Sequence, residues 1–192
     1  PNFVTIESSG SMPVKESRKV LAVGRLSIQK GFDYLFQAWS IVAAKYPEWS
    51  LEIYGYGYGR EEYYNDLIQK NGVKDSVTIC APVKDIRSKY LESAFYVMSS
   101  RYEGFPLTLG EAMSCGLPCI SYNCNCGPSE IIRHGEDGIL VDKVGDVEGL
   151  ANAMLYMIEH PVERLEMGEN AKENIKRFSI DNVMRKWEDI LQ

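Results

Sequence analysis

Two cations lie close together after the first apolar run of the sequence. The string 24–32 reads GRLSIQKGF and places Arg25 and Lys30 five residues apart, at the entrance to a helical segment. A planar guanidinium and an ammonium both bind phosphate oxygens, and the free amides at a helix start add partial positive charge. The pair therefore predicts an anion site, although two solvated cations beside a turn explain the same string equally well.

Two carboxylates flank a second candidate helix start. Seven residues separate Glu103 from Glu111, and Pro106 between them is predicted to be the first residue of a helix that ends near Gly116. At about 100° per residue, Glu111 lies about 200° around the helix from Leu109, so we expect it outside the core. Such carboxylates beside free helix amides suit a ligand with hydroxyls and phosphates, or they simply compensate the helix dipole at the surface.

Short apolar runs alternate with helical segments, and this alternation predicts the fold. Strands are predicted at 19–23, 51–54, 77–80, 95–99, 119–121 and 138–141, and helices at 35–46, at 147–158 after the N-cap Asp146, at 163–177 and at 180–191. Strands separated by helices need crossover connections. We therefore predict a doubly wound α/β fold with a mostly parallel sheet, helices on both faces and appended C-terminal helices.

The expected fold brings the cations and the carboxylates together. Ligands of open α/β sheets bind beyond the carboxyl ends of the strands. The loops that contain Arg25, Lys30 and Glu103 each follow a predicted strand. These groups and Glu111 should therefore face one crevice.

Length and composition limit the classes of function. The chain has 192 residues, 45% of them hydrophobic, which favours a single domain at 19–192 after a linker or N-terminal segment at 1–18. A net charge of −6 argues against a nucleic-acid surface. No apolar run approaches the roughly 18 residues of a membrane span, and residues 1–15 lack a signal-peptide pattern. Five cysteines without metal-ligand spacing predict reduced thiols in a cytoplasmic protein and no metal.

Four strings carry a resemblance to a known family. They are VGRLSIQKGF at 23–32, SRYEGFPLTLGEAMSCGLPCI at 100–120, GPSEII at 127–132 and HGEDGILV at 134–141. Together they resemble the C-terminal, donor-binding domain of retaining glycosyltransferases of the GT-B architecture, family four (glycosyl transferases group one), over nearly the whole chain. The resemblance implies a Rossmann-like half of a GT-B enzyme that transfers a sugar with retention, in polysaccharide or glycoconjugate biosynthesis. It implies a nucleotide-diphosphate sugar, most often a UDP-sugar, as donor substrate and no cofactor.

The resemblance also implies roles for individual residues. Arg25 and Lys30 match cations that bind the donor diphosphate and stabilise it as a leaving group, and Glu103 matches a carboxylate that contacts the transferred sugar. These three are the predicted catalytic residues, and Glu111 is expected to hold the ribose hydroxyls. Further substrate contacts, through main-chain groups that include the base-reading loop at Val83, are implied for Gly24, Val83, Gly104, Phe105, Pro106, Leu107 and Thr108.

The resemblance further implies a missing half. In such enzymes the acceptor binds an N-terminal domain, so we expect this chain alone to bind a donor without transferring the sugar. An acceptor glycan or lipid-linked sugar, and any peripheral association with the inner membrane face, would involve only the full-length protein.

Other functions stay open at this point. A nucleotide-sugar epimerase or a glycan phosphorylase of the same fold is one alternative, and a noncatalytic nucleotide-binding module is another. A hydrolase with paired carboxylates fits less well, because a helix start and a cationic loop favour phosphate and hydroxyl recognition. A dehydrogenase fingerprint at 55–60 fails because Arg60 occupies the position of its third glycine. The string 122–126, YNCNC, is expected to form a loop near the donor sugar.

Overall fold

The computed structural model describes residues 3–4, 12–57 and 59–191, without the side chains of 186 and 189–191. These residues form one parallel sheet of six strands in the order β3-β2-β1-β4-β5-β6, which confirms the predicted fold. Half of the predicted N-terminal segment 1–18, at 1–2 and 5–11, lies outside the described residues. The strands are β1 Lys19–Val23, β2 Ser50–Tyr54, β3 Val77–Cys80, β4 Phe95–Met98, β5 Cys119–Tyr122 and β6 Gly138–Val141.

Helices cover both faces of the sheet. The α-helices of the described residues are α1 Phe32–Lys45, α2 Glu61–Lys70, α3 Ile86–Glu92, α4 Leu107–Ser114, α5 Pro128–Ile131, α6 Val147–Glu159, α7 Pro161–Asn174 and α8 Ile180–Leu191. Single 3-10 turns at Ile28–Lys30 and Ile175–Phe178 precede α1 and follow α7. No helix among the described residues combines the length and the apolar character that crossing a bilayer would need.

The alternating sides of each strand supply two separate cores. In β1, Val20 and Ala22 pack with α1 and α6, whereas Leu21 packs on the other side with α3 and α4. All three side chains are buried. A strand covered on both faces needs mostly apolar residues, which explains why the central strands β1 and β4 are nearly continuous apolar runs in the sequence.

Local signals fix most helix ends. Helix α1 begins after Gly31, which adopts a left-handed conformation, and ends two residues before Pro47. Asp146 caps α6 as predicted, because its carboxylate accepts a hydrogen bond of 2.8 Å from the amide of Gly149. The prediction that Pro106 is the first residue of α4 is wrong by one position. Pro106 has an extended ψ of 91° and is the N-cap instead.

The C-terminal helices are only partly covered. Helix α8 buries Val183, but Ile180, Met184 and Trp187 are about half exposed. The side chains of positions 190 and 191 in α8 lie outside the described residues. Helix α7 ends earlier than the predicted 177 because the chain tightens into the 3-10 turn at Ile175–Phe178.

Gly31 should be much less replaceable than another glycine of the same backbone conformation. Gly31 and Gly72 have φ of 63° and 68°, but only at Gly31 would an added Cβ collide with a neighbour, 2.1 Å from the carbonyl oxygen of Ser99. We expect Gly72→Ala to lower the free energy of unfolding by about 1 kcal/mol through the left-handed conformation. Gly31→Ala should lower it by about 3 kcal/mol or more. Urea unfolding measures both, and equal losses would contradict the steric account.

Candidate functional site at the carboxyl ends of the strands

The order of the strands reverses between β1 and β4. The chain winds outward in one direction from β1 through β2 to β3 and in the other from β4 to β6. The crossover helices therefore leave β1 and β4 on opposite faces, and a crevice opens between the two loops. Gly24 begins one of these loops, and Ser99 begins the other.

The backbones of these two loops are joined directly. The hydroxyl of Ser99 donates to the carbonyl of Lys30 at 2.9 Å, and the amide of Arg101 donates to the carbonyl of Gln29 at 2.7 Å. Gly31 provides the close approach, because any side chain there would collide with the Ser99 carbonyl. The loop after β1 is thereby held in register with the loop after β4.

This register brings a predicted cation onto a predicted carboxylate. The Nζ of Lys30 lies 2.7 Å from Oε1 of Glu103, and the side chains are only 16% and 9% exposed. The hydroxyl of Ser100 donates to the same oxygen at 2.7 Å. A Cβ on Gly24 would lie 3.0 Å from Cε of Lys30, so a glycine there lets the lysine stem pass. Among the described residues, no group donates to Oε2 of Glu103.

An arginine that the sequence analysis missed braces the two loops. Arg101 donates to both carboxylate oxygens of Asp33, at 2.8 and 2.7 Å, and to the carbonyl of Ile28 at 2.6 Å. Its guanidinium also lies over the ring of Tyr34, 4.1 Å from the centroid. The hydrogen bonds to Asp33 raise the pKa of Arg101. The two partners are 68 residues apart, so no local pattern predicts this pair.

Arg25 directly follows Gly24 in the loop after β1. Its side chain is exposed and forms no ion pair with the described residues. It lines a cleft of about 200 Å³ together with Val83 and Ile86. A second cleft of about 220 Å³ also reaches Ile86 and extends to Glu111. Arg25, Val83 and Glu111 therefore border adjoining clefts at the same edge of the sheet.

Two buried tyrosines hold the helix that contains Glu111. The hydroxyl of Tyr90 donates to Oε2 of Glu111 at 3.1 Å and approaches the carbonyl of Thr108 at 3.3 Å. The hydroxyl of Tyr96 donates to Oγ1 of Thr108 at 2.9 Å. Burial raises the pKa of both tyrosines, so both stay protonated and remain donors. Glu111 lies outside the core, as predicted, but the sequence analysis did not identify Tyr90 as its partner.

The loop between β5 and α5 also reaches the carboxylate. Cys124 is buried, and burial raises the pKa of its thiol, with the charge of Glu103 as the next cause. The next thiol, Cys126, is exposed and has a φ of 65°. At its end the loop packs against the segment after Glu103, where a Cβ on Gly127 would lie 3.2 Å from the carbonyl oxygen of Gly104. The loop therefore lies beside Glu103, and its position near the donor sugar stays a prediction.

The remaining predicted substrate contacts lie around the start of α4. Phe105 packs edge-on against Phe178 at 5.4 Å, and Leu107 is exposed. The carbonyl of Pro106 accepts the helical hydrogen bonds of residues 109 and 110, so the amides of Leu107 and Thr108 precede the ladder. The structure thus collects the predicted residues at one edge of the sheet.

The largest cavity among the described residues lies elsewhere. It has a volume of about 700 Å³ and lies between α7 and the loop before β6, with Arg133, Glu136 and Glu163 in its wall. None of the predicted site residues borders it. We place the candidate site at the crevice between β1 and β4, because the cations, carboxylates and helix amides converge there.

Comparison with known proteins identifies the family of this chain. The family model described as glycosyl transferases group 1 matches residues 6–174. The chain belongs to this family. A glycosyltransferase of Haemophilus influenzae without an established role is 33% identical over 92% of this chain and 49% of its own length. The amylovoran biosynthesis glycosyltransferase AmsD of Erwinia amylovora is 34% identical, with the same two coverages.

A solved structure also resembles this chain in its fold. A TarM variant of S. aureus, crystallised with fondaparinux, alpha-GlcNAc-glycerol and UDP, superposes with a TM-score of 0.90 at 23% identity. The match covers 97% of this chain and 38% of TarM. This group 1 chain therefore spans about half the length of the two sequence relatives and less of TarM.

The thiols around the site should differ sharply in reactivity. Cys126 is exposed, whereas Cys115, Cys119 and Cys124 are buried and burial raises the pKa of each. Because the thiolate is the reactive form, a raised pKa leaves less of it near pH 8. We expect iodoacetamide to modify Cys126 first and the three buried thiols only after unfolding. Cys80 is partly buried, and burial also raises the pKa of its thiol. It should react more slowly than Cys126, and its rate of modification should rise toward and above pH 9.

Mass spectrometry of peptides from time points at pH 7, 8 and 9 measures these rates. The urea-unfolded chain is the control, since all five thiols should react there. Early modification of Cys124 in the folded chain would contradict the buried position of that thiol beside Glu103.

Proposed function

We propose that this chain is the donor-binding half of a retaining glycosyltransferase that uses a UDP-sugar. One observation carries the proposal: Lys30 and Glu103 are in contact at the crevice, with Arg25 and Glu111 on either side of the adjoining clefts. A nucleotide-diphosphate sugar has phosphates, a sugar and a ribose in sequence, and this arrangement has one group suited to each part. The UDP in the TarM crystal supports uracil as the base.

The two cations suit the diphosphate. Cleavage of the bond between the sugar and the diphosphate builds negative charge on the leaving phosphate, and preorganised cations lower that barrier. Arg25 is free to turn its planar donors toward two phosphate oxygens. Lys30 has three donors on one nitrogen, and its bond to Glu103 occupies one of them. The remaining donors can bind phosphate while the lysine stays fixed.

The two carboxylates suit hydroxyl groups of different sugars. Oε1 of Glu103 is fixed by Lys30 and Ser100, which leaves Oε2 for hydroxyls of the transferred sugar. Glu111 lies one helical turn into α4, where Tyr90 fixes one oxygen and the other can accept from the ribose. The exposed loop around Val83 borders the Arg25 cleft, where main-chain groups can contact the base.

The acceptor belongs to the rest of the enzyme. The two sequence relatives are about twice as long as this chain, and one is named for amylovoran biosynthesis. We propose that the remaining half binds a glycan or lipid-linked acceptor and covers the exposed side of α8. Because transfer requires donor and acceptor in one cleft, residues 1–192 alone should bind the donor without transferring the sugar.

Titration with nucleotide diphosphates tests the proposal. We expect isothermal calorimetry to detect UDP binding, and Arg25→Ala or Lys30→Ala to weaken it about tenfold, which corresponds to about 1.4 kcal/mol. Arg18→Ala is the matched control. Arg18 is also exposed and precedes β1, at the opposite end of the strand from the crevice, so its loss should change the affinity less than twofold.

Several outcomes would reject parts of this proposal. Absence of binding for UDP, GDP and ADP and their sugar conjugates favours a noncatalytic module. If Arg18→Ala weakens binding as much as Arg25→Ala, the phosphates bind elsewhere. A full-length enzyme that isomerises the nucleotide sugar, rather than forming a glycosidic bond, is an epimerase.

Loss of the Tyr90 hydroxyl should weaken binding only of ligands that have ribose hydroxyls. Tyr90→Phe removes the donor that orients Glu111, and we expect about fivefold weaker binding of UDP. Binding of 2′,3′-dideoxyuridine diphosphate should stay unchanged, because that nucleotide has no hydroxyl for Glu111 to accept. Tyr156→Phe is the control, since the described residues leave the Tyr156 hydroxyl without a hydrogen bond. Equal losses for UDP and its dideoxy analogue would show that Tyr90 acts only on stability.

A further inference from the structure

We propose that the loop of residues 123–127 forms the wall of the sugar subsite and that Asn125 and Cys126 select the transferred sugar. This inference rests on the proposed function and deepens it. The loop follows β5 and reads NCNCG, and its outer side chains are the exposed Asn125 and Cys126. Both ends of the loop are fixed to the residues assigned to the sugar.

The first anchor is Cys124. Its side chain is only 3% exposed. The charge of Glu103 is close enough to raise the pKa of this thiol. The loop therefore begins beside the carboxylate of Glu103, whose Oε2 accepts no hydrogen bond from the described residues.

The second anchor is Gly127. Its φ is 101°, and an added Cβ would lie 2.6 Å from Cδ of Pro106 and 3.2 Å from the carbonyl oxygen of Gly104. The loop thus ends against the segment that follows Glu103 along the chain. The contacts at both of its ends therefore keep the loop next to that segment.

The backbone between the anchors is strained. Cys126 has a φ of 65°, and it is the one residue other than glycine with positive φ among those described. Such a conformation costs about 1–2 kcal/mol and persists only where the surroundings impose it. The side chain of Cys126 is exposed and therefore lies on the outer side of the loop, between the two anchors.

The position of the loop determines which part of the ligand it can contact. A sugar attached to a diphosphate that Arg25 and Lys30 bind must extend toward Glu103, because Lys30 and Glu103 are in contact. It then meets the exposed side chains of Asn125 and Cys126 between the anchors. An amide and a small thiol can contact a hydroxyl or an acetamido group of the sugar, and a larger side chain would exclude it.

Reversible modification of the exposed thiol provides the test. Cys80→Ser removes the partly buried thiol, so Cys126 is the one accessible thiol of the remaining four. Methyl methanethiosulfonate adds a methylthio group to it by forming a disulfide with loss of methanesulfinate. Calorimetry compares UDP with UDP-glucose, UDP-galactose and UDP-N-acetylglucosamine before and after modification. We expect the best-bound conjugate to lose about tenfold or more in affinity. The affinity for UDP should change less than twofold, and reduction with dithiothreitol should restore the affinities for UDP and for the conjugate.

A second variant tests selection without a blocking group. Cys126→Gly suits the positive φ and removes the side chain, so it should fold and bind UDP normally. It should change the ratio of affinities among the three conjugates by about fivefold or more. The Cys80→Ser chain without modification is the reference for both experiments.

The outcomes separate this inference from the proposed function. If modification weakens UDP and its conjugates equally, or leaves the conjugates unaffected, the loop is not the wall of the sugar subsite. The same holds if Cys126→Gly leaves the ratio of affinities unchanged. If the unmodified chain binds none of the four ligands, the proposed function itself fails.

Discussion

The site depends on a contact between two backbones. At the reversal of strand order, Gly31 lies so close to the carbonyl of Ser99 that no side chain fits between them. This contact and the hydrogen bonds beside it fix the loop after β1 against the loop after β4. Lys30 and Glu103 are neighbours of these two residues along the chain, so their ion pair is a consequence of the backbone register. A slip of one residue would separate the cation from the carboxylate.

The energetics of this ion pair suit a binding site better than a structural brace. Burial of most of both side chains costs the two charges much of their hydration, and one bond between them plus the Ser100 hydroxyl offsets that loss incompletely. The Arg101 and Asp33 pair is bidentate and has further contacts on both sides, so it is the pair that holds the loops together. Lys30 and Glu103 keep unsatisfied hydrogen-bonding capacity toward the crevice, which a ligand with phosphates and hydroxyls can use.

Much of the fold could be predicted from the sequence, but few of the site's supporting contacts could. The central strands β1 and β4 are largely apolar because both of their faces are covered, and Asp146 and Gly31 mark helix starts by local chemistry. The sequence predicts Pro106 as the first residue of α4, whereas its extended ψ of 91° makes it the N-cap. Gly127 packs against its ring, and no local pattern predicts that contact from another element. The partners of Glu111 and of Arg101 come from other elements, and no local spacing predicts which tyrosine or aspartate will meet them.

The net charge of −6 raises the question of how such a chain would bind a diphosphate. At physiological ionic strength, charges more than about 8 Å away are largely screened. The surplus of acidic residues over the surface therefore contributes little at the crevice. Arg25, Lys30 and the amides that open α4 act at contact distance, and the partial burial around Lys30 weakens screening there. Glu103 offsets part of the Lys30 charge, because its carboxylate lies 2.7 Å from the ammonium, so Arg25 and the free helix amides supply most of the local positive field. Local geometry rather than total charge thus determines whether an anion is attracted to this edge of the sheet.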